Sequence, residues 1–401
     1  MQTKKILLFI NFSCDLVKKQ IFITTKLYFE GMRILVLNKY CPKHPLAGGA
    51  ERRLAEVMQR IARKGHKIYL VCARYPGCSD EEFFSGMHIH RIGRKGSNNT
   101  VLVHLLGTLT LRKFVAQIKP DVILEDISPL PWFSPILTRT PKVIIVHHIN
   151  SGVFFESQNF LSATAAYLLE KSIGIFYRKE RIISISKSTT RKLEWMGINP
   201  ENIVEIRDGI DFRKFAGKKS ERFMEPTVLF LGRLESRKGA DLLINTFDYV
   251  KKQIPSVSYI IAGNGKERKR LEGLAHGRKG IRFMGFVSED KKKELLRKSW
   301  LIAVPSRAEG YGIAVLEAGC CRTPAVANSV PGLSDSVIPE KTGILTNCRE
   351  PIEFSESIIA LLRDGKKRER LGRNAFAFAR LHSWESCAED TLKVLKEVAG
   401  R

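Results

Sequence analysis

From Met32 onward, short apolar runs alternate with longer segments whose apolar residues recur at helical spacing. The runs at 33–38, 68–73, 121–125, 142–147 and 181–185 are nearly continuous in apolar side chains, the pattern of parallel strands covered on both faces by crossover helices. Between the first two, Leu54, Val57, Met58 and Ile61 form an i, i+3, i+4, i+7 stripe. That stripe predicts a helix, and Gly65 just beyond it supplies a natural left-handed end. The spacing predicts a doubly wound α/β unit over residues 32–205.

The pattern resets after the polar stretch Gly217 to Glu221. A new strand is predicted at Thr227–Leu231, followed by runs at 257–262, 299–304 and 324–327, so a second Rossmann-like unit is expected over 206–380, with a linker near 206–225. A last helical segment occupies 381–401. A chain of 401 residues with 44% hydrophobic residues has material for two cores. Open parallel sheets bind ligands beyond the carboxyl ends of their strands, so two such units face each other across a cleft where strand-end motifs converge.

Composition changes this picture in three places. The formal net charge of +26 predicts attraction to phosphates or other anionic surfaces, without bearing on fold. Its local groups, such as Lys291-Lys292-Lys293 and Lys366-Lys367-Arg368, read either as solvated helix faces or as docking to an anionic bilayer, which the apolar stretch Phe160 to Phe176 would border. The eight cysteines (14, 41, 72, 78, 320, 321, 348 and 387) show no CxxC pair or Cys/His metal spacing, so reduced thiols and a cytoplasmic location are expected. No window holds the roughly 18 apolar residues of a membrane-spanning helix. Residues 1–31 begin like a signal peptide, but Asp15, Lys18 and Lys19 interrupt the apolar run; they are expected to be an extension ahead of a second start-like sequence at Met32.

Two strand-end motifs carry chemistry. In Gly232-Arg233-Leu234-Glu235-Ser236-Arg237-Lys238-Gly239, Arg233 offers a bidentate fork and Lys238 a mobile point charge, a combination suited to a diphosphate. In Pro305-Ser306-Arg307-Ala308-Glu309-Gly310-Tyr311-Gly312-Ile313-Ala314-Val315-Leu316-Glu317, a helix beginning near Gly312 would turn its free N–H groups toward the cleft. Glu309 precedes it and can accept from sugar hydroxyls, while Glu317, more than one turn in, can reach a ribose.

These residues resemble the family 4 glycosyltransferases, retaining enzymes with the GT-B fold: two Rossmann-like doubly wound domains facing across a cleft. The resemblance runs from Met32 to the end of the chain. It implies that Arg233 and Lys238 bind the donor diphosphate and stabilise the leaving group, and that Glu309 contacts the transferred sugar and Glu317 the ribose. It implies that Gly48-Gly49 form a loop on the donor phosphate, and that His147 lies near the reaction centre, with His148 beside it as the alternative. Gly263, Gly285 and Phe286 match segments around the nucleotide, Gly310, Tyr311 and Gly312 the donor turn, and the helix from Ser383-Trp384-Glu385 one that crosses back onto the N-terminal domain.

The activity implied is transfer from a UDP-sugar or GDP-sugar to a hydroxyl acceptor, a lipid-linked saccharide, glycolipid or polysaccharide precursor, with retention. No cofactor and no obligatory metal are expected, since cationic side chains can neutralise the leaving group. Three departures stand out: Asp208 where an Asn is usual, Arg322 where a glycine is common, and Glu125 and His148 where relatives carry His and Asp. A GT-B epimerase or phosphorylase fits less well, and so does a basic nucleic-acid module, which would show aromatic-and-basic stripes and no paired carboxylates.

Overall fold

The structure, a computed structural model, describes residues 31–93, 100–128, 130–149, 160–217, 221–346 and 350–401. The leader before Gly31, with Cys14, and also Cys348 and residues 218–220 of the polar linker, lie outside the described residues.

Residues up to Glu205 build one sheet: β1 (Arg33–Leu37), β2 (Lys67–Ala73), β3 (Glu81–Phe84), β4 (Met87–Ile92), β5 (Val122–Ile127), β6 (Lys142–Val146), β7 (Arg181–Ser184) and β8 (Ile203–Glu205). Their order is β3-β4-β2-β1-β5-β6-β7-β8, with β3 alone antiparallel. A second sheet follows, from β9 (Thr227–Leu231), β10 (Ser258–Ala262), β11 (Ile281–Gly285), β12 (Leu301–Val304), β13 (Ala325–Asn328) and β14 (Gly343–Thr346). It is wholly parallel in the order β11-β10-β9-β12-β13-β14.

The topology fixes where ligands can sit. In the first sheet the chain reverses direction across the sheet between β1 and β5, and in the second between β9 and β12. At such switch points the strand-end loops diverge and leave a crevice. The loops there are those after β1, carrying Gly48-Gly49, after β9, carrying Arg233 and Lys238, and after β12, carrying Glu309.

Helix Gly49–Arg63 buries Leu54, Val57, Met58 and Ile61 against Ile34, Val36, Ile68 and Leu70 of the first sheet, and Gly65 beyond it has φ +94°. Each such side chain taken from water contributes about 1.5–3 kcal/mol. Helix Trp384–Val398 lies on the same helix, with Trp384 buried and ion pairs Arg60–Glu385 (2.9 Å) and Lys64–Glu389 (3.0 Å) at its edge. Exposed pairs of that kind contribute little; the apolar seam holds the helix there.

The chain thus connects the two sheets twice, and the two connections touch. Ile210 pairs with Ser383, Ile210 N donates to His382 O (3.2 Å), and a Cβ on Gly209 would stand 2.4 Å from Trp384 N. Only glycine permits that approach.

Of the departures, Arg322 takes the left-handed conformation (φ +55°) that a glycine would occupy without cost. It is held there by its guanidinium 3.8 Å from the centre of the Phe376 ring and by its carbonyl, which accepts from Arg222 (2.7 Å). The six cysteines among the described residues are free and buried. The apolar stretch from Phe160 forms helices Phe160–Lys171 and Ile173–Phe176, broken at Ser172.

Candidate active site

The loop after β9 turns through Ser236–Lys238 and reaches Gly239 at φ +67°, where a Cβ would fall 2.1 Å from the Pro305 carbonyl oxygen. That close packing brings the β9 and β12 loops together. Lys238 Nζ lies 2.5 Å from Glu309 Oε1, which also accepts from Ser306 Oγ (3.1 Å). Burial raises the Glu309 pKa, but the charges of Lys238 and Arg237 outweigh it and hold the carboxyl below its ordinary value.

Gly312 (φ +83°) starts helix Ile313–Cys320, on which Glu317 is buried. Two cations meet its Oε1: Arg52 Nη1 at 2.5 Å and Lys292 Nζ at 2.9 Å. Both contacts fall on one oxygen, which leaves the second for a hydroxyl donor. Tyr311 is buried with its hydroxyl 2.9 Å from His382 Nε2, so it offers a ligand backbone rather than a phenol. Gly310 packs against Ile185, and Gly332 closely underlies the carbonyls of Glu309 and Gly310.

Across the crevice, Gly48 N donates to Glu51 Oε2 (2.6 Å) at the start of helix Gly49–Arg63. A Cβ on Gly48 would lie 2.9 Å from Arg233 Nη2, and one on Gly49 3.7 Å from Ile313 Cδ1. Arg233 donates to Leu46 O (3.3 Å) and pairs with Glu235 (3.3 Å). The glycine loop, Arg233 and the helix start at Ile313 therefore share one space. Lys39 stands there too: burial brings its pKa down to about 8, with Glu51 opposing and Arg233 reinforcing.

His147 follows β6 and is buried, its Nε2 3.0 Å from Asp126 Oδ2. Burial works against its protonation, yet Asp126 and Asp208 outweigh burial and raise its pKa. His148 is different. Burial, the neighbouring His147 and Arg237 push its pKa down to about 3, and its ring lies against Gly310. Glu125 is spent on structure, accepting from Trp132 N (2.7 Å), Ser134 N (3.2 Å), the Ser134 hydroxyl and Tyr177 Oη (2.6 Å). Asp208 forms a buried ion pair with Arg53 (2.7 Å).

At the far side of the crevice, Gly263 follows β10 at φ +141°, its N donating to Gly285 O (2.7 Å). Gly285 ends β11 at φ +65°, and Phe286 after it is 88% exposed. Among the described residues no three His, Cys, Asp or Glu side chains cluster to hold a metal ion.

Two family descriptions match this chain: "Glycosyltransferase Family 4" over residues 47–214 and "Glycosyl transferases group 1" over 211–378. An uncharacterised glycosyltransferase of Methanocaldococcus jannaschii is 31% identical over 92% of this chain and 99% of its own. The chain belongs to the family 4, group 1 glycosyltransferases. A D-inositol 3-phosphate glycosyltransferase of Xylanimonas cellulosilytica is 31% identical over 44% of this chain and 43% of its own length. Among solved structures, sucrose-phosphate synthase from Thermosynechococcus elongatus superposes with a TM-score of 0.77 at 20% identity, covering 92% of this chain and 99% of that one. HepE of Anabaena, solved in complex with UDP and glucose, gives a TM-score of 0.68 at 20% identity over 91% of this chain and 100% of its own. These likenesses show the GT-B fold that the sequence predicts.

In this glycosyltransferase the structure gathers Gly48, Gly49, Arg233, Lys238, Glu309 and Glu317 around one crevice. It sets His147 deeper, against Asp126, and His148 beside Gly310. Arg52, Lys292, Lys39 and Asp126 are the site's neighbours that sequence reasoning did not single out. Arg52 was accessible, standing in the first turn after the glycine loop; Lys292 was hidden in a lysine run that reads as a solvated face.

Proposed function

We propose that this glycosyltransferase moves a sugar from a nucleoside diphosphate sugar to a hydroxyl acceptor, with retention at the anomeric carbon and without an obligatory divalent ion. The observation that carries this reading is the convergence of Arg233, Lys238 and the helix start at Gly312 on one crevice, flanked by Glu309 and Glu317. Two cations and a helix N-terminus can hold a diphosphate and take up the charge that develops as it leaves. Glu309, kept ionised by Lys238, orients sugar hydroxyls. The open oxygen of Glu317 accepts from the ribose, and His147 stabilises charge near the reacting carbon. Retention follows the family resemblance; the UDP in the HepE structure supports a nucleotide-sugar donor, UDP- or GDP-linked.

For the acceptor, the reading is a lipid-linked saccharide, glycolipid or polysaccharide precursor at the cytoplasmic face of a membrane, with the protein peripheral. It is supported by the net charge of +26 and by exposed Leu168, Ile175 and Phe176 on the two helices before Arg178-Lys179. Among the described residues no helix is long and apolar enough to cross a membrane.

The test is incubation of the purified protein with UDP-, GDP- and ADP-sugars in EDTA, with and without lipid extract, following nucleoside diphosphate release and the anomeric configuration of the product. Release from one nucleotide class with an axial product linkage from an axial donor supports the reading. Release only on adding a divalent ion, or an inverted product, contradicts it.

A further inference from the structure

Below the glycine loop four buried ionisable side chains meet: Asp126 at the end of β5, His147 after β6, Arg53 on helix Gly49–Arg63, and Asp208 on the linker between the sheets. Asp126 Oδ2 is 3.0 Å from His147 Nε2. Arg53 Nη1 is 2.7 Å from Asp208 Oδ1 and 3.0 Å from the Ile206 carbonyl oxygen. An ionised carboxylate has no proton to give, so the bond to Asp126 requires that His147 donate from Nε2.

Charge counting goes further. The carboxyl groups of Asp126 and Asp208, with that of the buried Glu51 nearby, outnumber the one guanidinium of Arg53 in a dry interior, and a second proton on His147 offsets one negative charge. The other oxygen of Asp126, Oδ1, is buried and accepts no hydrogen bond among the described residues. Among the described residues the carboxylate is therefore held through His147 alone, and the pair behaves as a unit.

We propose that Asp126 is a positioning residue for glycosyl transfer: it fixes the His147 ring through Nε2 and keeps it an imidazolium beneath the glycine loop. Burial raises the Glu51 pKa; the amides of Gly48 and Glu51 oppose it, Asp126 adds to it and the His147 cation opposes it, and Glu51 in turn holds the amide of Gly48. A fixed positive charge under the loop favours a departing diphosphate above it. The inference rests on the reading of His147 as a group near the reacting sugar. The charged groups facing His147 are Asp126 from β5, Asp208 from the linker and Arg53 and Glu51 from the helix; His148 adjoins it in the chain. Asp126 and Asp208 favour the imidazolium, whereas burial and Arg53 oppose it.

The experiment is a pH titration of histidine ring resonances in the intact protein, with His147 assigned by its loss in His147→Gln, repeated in Asp126→Asn. Hydrolysis of UDP-glucose or GDP-mannose, whichever the enzyme turns over, is followed across the same pH range. In the wild type His147 is expected to titrate above the ordinary histidine value of about 6.5. In Asp126→Asn its titration and the pH at which kcat declines should both drop by about one unit, with kcat at pH 7 falling about tenfold or more and KM changing less than about threefold. A His147 that titrates at or below the ordinary value in the wild type overturns the proposal, whether or not the variant folds. An inactive His147→Gln beside an Asp126→Asn enzyme with unchanged titration and turnover overturns the dyad alone. A fully active His147→Gln overturns both the dyad and the reading of His147 on which it rests.

Discussion

Arg52 and Glu317 are carried by different sheets' helices, yet Arg52 Nη1 stands 2.5 Å from Glu317 Oε1. The Glu317 side chain is 4% exposed, and Lys292 meets the same oxygen. A carboxylate pinned at one oxygen by a cation from each side of the crevice presents its other oxygen in a fixed direction. The pair joins the two domains at the carboxylate to which the proposed function assigns the ribose.

Arg52→Ala is therefore expected to weaken donor binding without abolishing it, by about 1–2 kcal/mol, roughly a five- to thirtyfold rise in Kd, because Lys292 still compensates the charge while the orientation loosens. Glu317→Ala should do more. It removes the hydrogen-bond acceptor and leaves the part-buried Arg52 without its carboxylate, Lys292 keeping Glu289 (2.7 Å), at a cost of about 1–3 kcal/mol of stability. Nucleotide titration calorimetry and urea unfolding of the two variants separate the effects.

Lys39 is expected to give the proposed donor site a pH dependence. Its pKa is brought down to about 8, so it is charged below that pH and neutral above it. A cation beside the glycine loop favours a bound diphosphate, and donor affinity should fall as pH rises through 8 toward 9. Lys39→Arg keeps its charge across that range and should flatten the profile. Kd for the nucleoside diphosphate at pH 7, 8 and 9 in both proteins checks this.

Two glycines at the crevice should respond oppositely to alanine. At Gly48 the new methyl meets the mobile tip of Arg233, 2.9 Å away, with Glu51 Oε2 in ordinary contact at 3.7 Å, and φ is −137°, so the fold is expected to hold while the guanidinium is displaced and donor affinity drops. At Gly263 the Cβ would fall 1.8 Å from the Gly232 carbonyl oxygen with φ at +141°. That backbone cannot yield cheaply, and Gly263→Ala should cost on the order of 3 kcal/mol or more. Urea midpoints distinguish the two, with Gly48→Ala close to wild type.

Asp208→Asn puts in the residue that the family resemblance implies there, and it is nonetheless expected to destabilise. Arg53 would keep its charge in a buried site with its carboxylate gone, at a cost of about 3–5 kcal/mol. Arg53→Leu together with Asp208→Asn should recover most of that loss. Chemical denaturation of the single and double variants measures the coupling.

The core strands were legible because both faces of each are buried: the run 68–73 became β2 (Lys67–Ala73), and 181–185 became β7 (Arg181–Ser184). The hairpin of β3 and β4 was not, because Glu81–Phe84 is a half-exposed edge strand and Met87–Ile92 interleaves His88, His90 and Arg91 with its apolar residues. β8 and β14 escaped notice by brevity, the latter opening on Gly343. The strand-end motifs with Arg233, Lys238, Glu309 and Glu317 could be read locally. Arg52, 265 residues from Glu317, could not be paired with it, because that contact exists only once the two domains face each other.

The most direct test of the donor site is calorimetric titration of UDP, GDP and ADP in EDTA into the wild type and Lys238→Ala. Lys238 is 2.5 Å from Glu309, and its loss removes a diphosphate cation and leaves that carboxylate unpaired. The account predicts that one nucleoside diphosphate binds the wild type without metal and that Lys238→Ala weakens it about a hundredfold, close to 2.7 kcal/mol. Binding of none of the three, or equal binding by Lys238→Ala, would contradict it.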